Sequence, residues 1–104
     1  MNPESYQQLD RVIHEKGRLA IMSMLAAVEE MSFTDLRDAL SMTDGNITAH
    51  ARTLQQAGYL GVTKSYRGGR PLTTFALTAV GRKAFSDYII LLADIVDRHR
   101  PEGK

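Results

Sequence analysis

The pattern of apolar residues changes period at Gly58. Before it, apolar residues recur at three- and four-residue steps, the mark of helices packed on one side. After it, Leu60, Val62 and Lys64 alternate with Gly61, Thr63 and Ser65, a period of two with β-branched residues. A chain that makes this switch within 104 residues has room for one domain that mixes helices with a small hairpin.

The helical part divides at short polar turns. The spacing predicts a helical segment from about 8 to 28, with Leu9, Val12, Ile13, Leu19, Ile21, Met22, Leu25, Ala26 and Val28 as apolar positions. Gly17 is the candidate break within it, because glycine inside a helix is unfavourable. Glu29 and Glu30 close the segment. Ser32, followed three residues later by Asp35, opens a second helix: the hydroxyl accepts from free N–H groups and the acid suits the dipole. Leu36, Ala39 and Leu40 are its expected buried face. Ser41 and Met42 leave space for a turn only. Thr43 caps a third helix, whose residues Ile47, Ala51 and Leu54 fall on one face and which Gly58 terminates.

The strands flank Arg67-Gly68-Gly69-Arg70-Pro71, a strong turn signal. Thr73, Thr74, Phe75 and Leu77 form the returning strand. Thr78 then caps a last helix over about 79–98. Arg98 and Arg100 suit its C-terminal end, and Pro101 and Gly103 end the ordered chain. The expected fold is α+β and mostly α: a three-helix core, a two-stranded β-wing and a C-terminal dimerisation helix. Residues 1–104 form one winged-helix domain, with a helix-turn-helix at about 32–58, a wing at about 59–77 and the last helix at about 79–98.

Charge is asymmetric although the net value is only +1. Residues 43–82 hold Arg52, Lys64, Arg67, Arg70 and Arg82 against Asp44 alone, whereas residues 1–42 are net acidic. Such gathering suits an anionic partner, although chance clustering gives the same count. With 43% apolar residues the composition is that of a globular domain. The absence of cysteine excludes disulfides and thiolate metal sites. No apolar run approaches the ~20 residues of a membrane span. No basic stretch precedes an apolar one at the N-terminus, so a cytoplasmic location is expected.

Placing Ile47, Ala51 and Leu54 inward turns Asn46, Thr48, Ala49 and Arg52 outward. The first turns of a recognition helix are where bases are touched. Asn suits adenine, Arg suits guanine, and Thr or Ala can contact a thymine methyl. A plain amphipathic helix with a polar face has the same spacing. At Thr43 the helix N-terminus can hold a phosphate as well as being capped, and Asp44 is expected to cap or to face away. In the wing, Lys64, Tyr66, Arg67 and Arg70 surround a two-glycine tip that can approach DNA closely. The same charges on a solvated turn would keep an exposed hairpin from aggregating.

His14, His50 and His99 are dispersed, so no metal ligand set is expected, and no cofactor is implied. No nucleophile elbow, phosphate loop or paired carboxylates point to an enzyme. In the last helix Phe85, Ile89, Leu92 and Val96 step by 4, 3, 4, a coiled-coil-like seam broadened by Tyr88, Leu91 and Ile95. A face that wide calls for a second copy, unless the first helix covers it within the monomer.

Three blocks, IHEKGRLAIMSML, TDGNITAH and YRGGRPLTTFALTAVGRKAF, run from Ile13 to Phe85 and carry a resemblance that covers about residues 9–96. Together with the intervening helix-turn-helix they resemble the MarR/ArsR-type winged-helix regulators, and more closely their small stand-alone winged helix DNA-binding domain branch. The resemblance implies a homodimeric bacterial or archaeal transcription regulator, not an enzyme. Its third helix would enter the major groove, and its wing would lie on the phosphate backbone or minor groove of double-stranded DNA. The two third helices would read an inverted repeat, roughly 34–36 Å apart. Leu9, Val12 and Ile13 would join Phe85, Tyr88, Ile89, Leu92, Ile95 and Val96 in the dimer interface. This third helix departs from many relatives in carrying one full positive charge, Arg52, with Ala49 where a basic residue is expected. A small hydrophobic effector would have to bind between the dimerisation and recognition helices. Winged helices also serve as protein–protein modules, and that is the alternative reading.

Overall fold

The computed structural model describes residues 5–99. Arg100, Pro101 and Gly103, expected to end the last helix and the ordered chain, lie outside them. A 3-10 turn, Ser5–Gln8, precedes α1 (Lys16–Ala26), β1 (Met31–Ser32), α2 (Phe33–Leu40), α3 (Asp44–Gln56), β2 (Leu60–Arg67), β3 (Arg70–Leu77) and α4 (Ala79–Arg98).

The segment expected to be helical from about 8 to 28 is helical only over Lys16–Ala26. Two acids break it. Asp10 Oδ1 accepts from the backbone N–H of Val12 at 2.8 Å and of Ile13 at 3.2 Å, which closes a local turn instead of a helix. Glu15 is extended (φ −146°, ψ 133°) and its Oε1 accepts from Arg18 N at 2.8 Å, so it caps α1. The break therefore lies at Glu15, and Gly17 sits inside the first turn. At the other end α1 stops before Val28. Arg82 Nη2 donates to Val28 O at 2.9 Å and Nη1 to Ala26 O at 3.4 Å, satisfying carbonyls that the helix leaves free. That places this arginine on the fold and away from the wing.

The other three helices start where their caps predict. Ser32 Oγ accepts from Asp35 N, Thr43 Oγ1 from Asn46 N and Thr78 Oγ1 from Gly81 N. Leu36 is buried and Leu40 packs against the core, but Ala39 is exposed, because so short a helix has only a narrow inner stripe. The strands form an antiparallel sheet in the order β1-β3-β2. Its third strand, β1, adds Met31 opposite Phe75 and Ser32 opposite Thr74 to the two-stranded wing. Two residues are too few for any period to announce them. The hairpin runs in register from Leu60↔Leu77 to Arg67↔Arg70. Gly68 (φ 57°) and Gly69 (φ 78°) form its two-residue turn, and two positive φ values in succession are the type I′ geometry that matches strand twist.

One core joins these elements: Ile13, Ile21, Met22, Leu25, Leu36, Ile47, Ala51, Leu54, Leu60, Phe75, Leu77 and Tyr88. Leu60, Phe75 and Leu77 root the hairpin in it, while β2 is exposed from Thr63 onward, so the wing projects. The molecule is elongated, 57 × 27 × 23 Å, with a radius of gyration of 15.8 Å. A compact domain of this length has about 13 Å. The 20-residue α4 alone spans about 30 Å.

Candidate nucleic-acid interface

α3 buries Ile47, Ala51 and Leu54 and leaves Asn46, Thr48, Ala49 and Arg52 in solvent. His50, on its flank, is half-buried against the start of α1. Thr43 is engaged in capping, and Asp44 faces away from the helix axis: its Oδ1 accepts from Arg37 Nη1 at 2.8 Å.

Strand alternation sorts the wing. Lys64 and Tyr66 continue the face that begins with Leu60 and Val62, together with their partners Thr73 and Pro71. This face looks towards α3. A groove of about 290 Å³ lies between them, walled by Thr48, Arg52 and Gln55 of α3 and by Val62, Lys64 and Thr73 of the hairpin, over Phe33 and Phe75. The structure thus brings Thr48, Arg52 and Lys64 to one groove. Gln55 and Thr73 join them, and neither carries a charge or a spacing that would single it out from the sequence. Arg67 and Arg70 sit elsewhere, directly opposite each other at the tip on the other face of the ribbon. Tyr66 is 77% exposed.

Among the described residues Arg52, Lys64, Arg67 and Arg70 are in no ion pair. Other cations have partners: Lys83 with Asp87, Arg98 with Asp94, and Arg37 with both Asp38 and Asp44. The charges of Arg52, Lys64, Arg67 and Arg70 are therefore left without a carboxylate partner among the described residues.

The residues expected at a dimer interface separate into two groups. Ile13 and Tyr88 are 0% and 2% exposed within the protomer and have no surface left to offer. The Tyr88 hydroxyl bonds His14 Nδ1 at 2.7 Å, and its burial raises the phenol's pKa. Leu9, Val12, Phe85 and Leu92 pack partly on the core, and Ile95 is half-buried. Ile89 and Val96 remain exposed, joined by Ile90. A second groove, of about 690 Å³, runs between the N-terminal segment and α4, with Asp10, Tyr59, Asp87 and Asp94 among its walls. Among the described residues no helix is long and apolar enough to cross a membrane, and no three His, Asp or Glu side chains converge as a metal site would require.

Residues 18–96 match the winged helix DNA-binding domain family. An uncharacterised protein of Methanocaldococcus jannaschii is 33% identical over 79 residues, which cover 76% of this chain and 86% of that protein. Among solved structures, the transcriptional regulator homologue of Pyrococcus horikoshii OT3 overlays with a TM-score of 0.89 at 23% identity, covering 94% of this chain and 99% of that one. MepR of S. aureus, solved in complex with DNA, overlays with a TM-score of 0.73 at 15% identity, covering 92% of this chain and 78% of MepR. The chain belongs to the winged helix DNA-binding domain family, and it shares its fold with transcriptional regulators of the MarR type.

Proposed function

We propose that the protein is a homodimeric transcription regulator in the cytoplasm of a bacterium or archaeon, acting as one winged-helix unit over its length. α3 lies in the major groove of double-stranded DNA. Asn46, Thr48 and Ala49 supply the base reading. Arg52, Lys64 and the N-terminal end of α3 at Thr43 hold phosphates and set the register. The wing places Tyr66, Arg67 and Arg70 on the backbone or in the minor groove. A twofold dimer presents two such surfaces to an inverted repeat.

The observation that carries this reading is the Arg67↔Arg70 pair. Like charges directly opposite each other on a hairpin destabilise it, and among the described residues no carboxylate pairs with these two. The fold gains nothing from the arrangement. A polyanion docked against the tip turns the cost into attraction. The groove that joins Arg52 and Lys64 supplies the second half of the same surface. A small hydrophobic effector would act between the dimerisation and recognition helices, where it could alter the spacing of the two reading heads.

A gel-shift titration against the protein's own upstream DNA and a random duplex, at two salt concentrations, tests the reading. Tight, salt-sensitive retention of the upstream DNA is expected, and Arg67→Ala/Arg70→Ala should weaken it and flatten the salt dependence by about 0.9 in log–log slope per lost phosphate contact. Retention that ignores both arginines removes the wing from the interface. No retention of either duplex at low salt turns the reading towards a protein-binding module.

A further inference from the structure

Arg37 stands in the last turn of α2 and Asp44 opens α3, with only Ser41, Met42 and Thr43 between the two helices. Its guanidinium is held twice, by Asp44 Oδ1 on Nη1 at 2.8 Å and by Asp38 Oδ1 on Nε at 2.9 Å. The cluster has one positive charge and two negative ones. It stands beside the first turn of the helix that carries Asn46, Thr48 and Ala49. Asp44 is also the only acidic residue from 43 to 82. The single carboxylate of this basic stretch is thus bonded to Arg37, alongside Asp38.

We propose that Arg37 is a further phosphate-binding residue of this surface: Asp44 holds its guanidinium in the free protein and a backbone phosphate takes it over when DNA docks. The proposal rests on the DNA-binding reading above. Both members of the pair are open to water, Arg37 with 31% and Asp44 with 71% of the side chain exposed. Exposed pairs contribute little to folding, so the bond can be exchanged without unseating either helix. A phosphate offers the planar guanidinium the same two-oxygen geometry as a carboxylate, with more charge along its chain of neighbours. The released Asp44 stays in the first turn of α3, where the helix dipole favours a negative group. Asp38 keeps the Nε side of the guanidinium aimed while Nη1 changes partner. Thr43 caps α3 independently of Asp44, so the helix start does not depend on the pair.

The test is a fluorescence-anisotropy titration of wild type, Asp44→Asn, Arg37→Ala and the double variant. The probe is a random duplex of about two helical turns, at salt from roughly 50 to 200 mM. Thermal midpoints confirm that all four fold. Asp44→Asn is expected to bind several-fold tighter with the log–log salt slope unchanged, because the same phosphates are contacted, whereas Arg37→Ala should flatten the slope by about 0.9, one lost phosphate contact. The gain must vanish in the Arg37→Ala background. An equal gain with and without Arg37 would mean that Asp44 only repelled the phosphate, and the exchange is overturned. No gain from Asp44→Asn overturns it as well. If wild type and all variants bind with one affinity and slope, this inference fails while the DNA reading stands. If none of the four binds any duplex, both fail together.

Discussion

The imidazole of His50 occupies the space that a side chain on Gly17 would need: a Cβ there would lie 2.5 Å from His50 Nε2 and 2.9 Å from its Cδ2. α3 is thereby seated on the first turn of α1. Glu15 ties the two together, since its Oε1 caps Arg18 N at 2.8 Å and lies 3.7 Å from His50 Nδ1. The backbone bond from Arg18 holds the Glu15 carboxyl below its usual range. Burial works against this, while the Gly17 N–H and the charges of His50 and Arg18 assist.

Gly17→Ala is expected to cost stability and to tilt α3. The obstacle is the end of a flexible side chain, which can swing aside, and alanine regains up to about 1 kcal/mol of helix propensity. The net loss should therefore stay near 1 kcal/mol, read as a fall in thermal midpoint. Combining it with His50→Ala removes the collision, so the double variant should be more stable than the two single losses predict. Strict additivity would mean that the contact does not constrain either helix.

Gly81→Ala should behave differently. Its Cβ would lie 2.2 Å from the carbonyl oxygen of Tyr59, and that oxygen is fixed by the N–H of Thr78 at 3.0 Å. Backbone cannot swing aside. A loss of about 2–4 kcal/mol is expected, and no single side-chain truncation nearby should rescue it. Denaturant unfolding of Gly81→Ala beside Gly17→Ala gives the comparison; equal losses would contradict the rigid-carbonyl account.

α2, α3, the hairpin and α4 were legible in the sequence because each begins at a hydroxyl cap or turns at a glycine pair, and both signals are local. The stretch from Leu9 to Glu15 was not legible. Its apolar spacing is helical, but Asp10 and Glu15 capture backbone N–H groups, and a periodicity argument sees only side-chain faces. The cations of the site were legible as residues. Which of them lacks a counter-ion was not, because Arg37 meets Asp44 across a turn and Arg82 reaches the end of α1 from α4. Ile13 and Tyr88 looked like interface residues for the same reason: an apolar stripe does not say which side of it the protomer itself covers.

Stability should fall at high pH through Tyr59. Its hydroxyl donates to Asp10 Oδ2, and that bond, with burial and the charge of Asp10 adding to it, pushes its pKa up to about 12. An ordinary tyrosine titrates near ~10. The folded state thus keeps its proton where the unfolded chain has lost it. The contribution is fully present below about pH 10 and is lost as pH rises towards 12. Tyr59→Phe should lose about 1 kcal/mol at neutral pH and show less alkaline decline. Glu15 gives the opposite sign: its lowered pKa stabilises the fold above the usual carboxylate range, and that contribution disappears as pH falls. Denaturation midpoints of wild type, Tyr59→Phe and Glu15→Gln across pH check both. A Tyr59→Phe curve parallel to wild type above pH 10 would refute the first.

The outer face of α4 carries the last prediction. Ile89, Ile90 and Val96 are 41%, 66% and 50% exposed on a helix that outruns the domain it covers. Ile89 and Val96 stand two helical turns apart, the spacing of a seam for a second helix, which a twofold partner would supply. Ile89→Glu/Val96→Glu should therefore convert a dimer to a monomer by light scattering after size exclusion. Neither side chain belongs to the buried core, so the variant protomer should remain folded by circular dichroism. Its DNA affinity should fall by more than a salt-slope change explains, because two linked reading heads become one. Substituting Ile13 or Tyr88 instead should unfold the protomer. A wild-type protein that stays monomeric at micromolar concentration would leave α4 without this role and the inverted-repeat arrangement without its geometry.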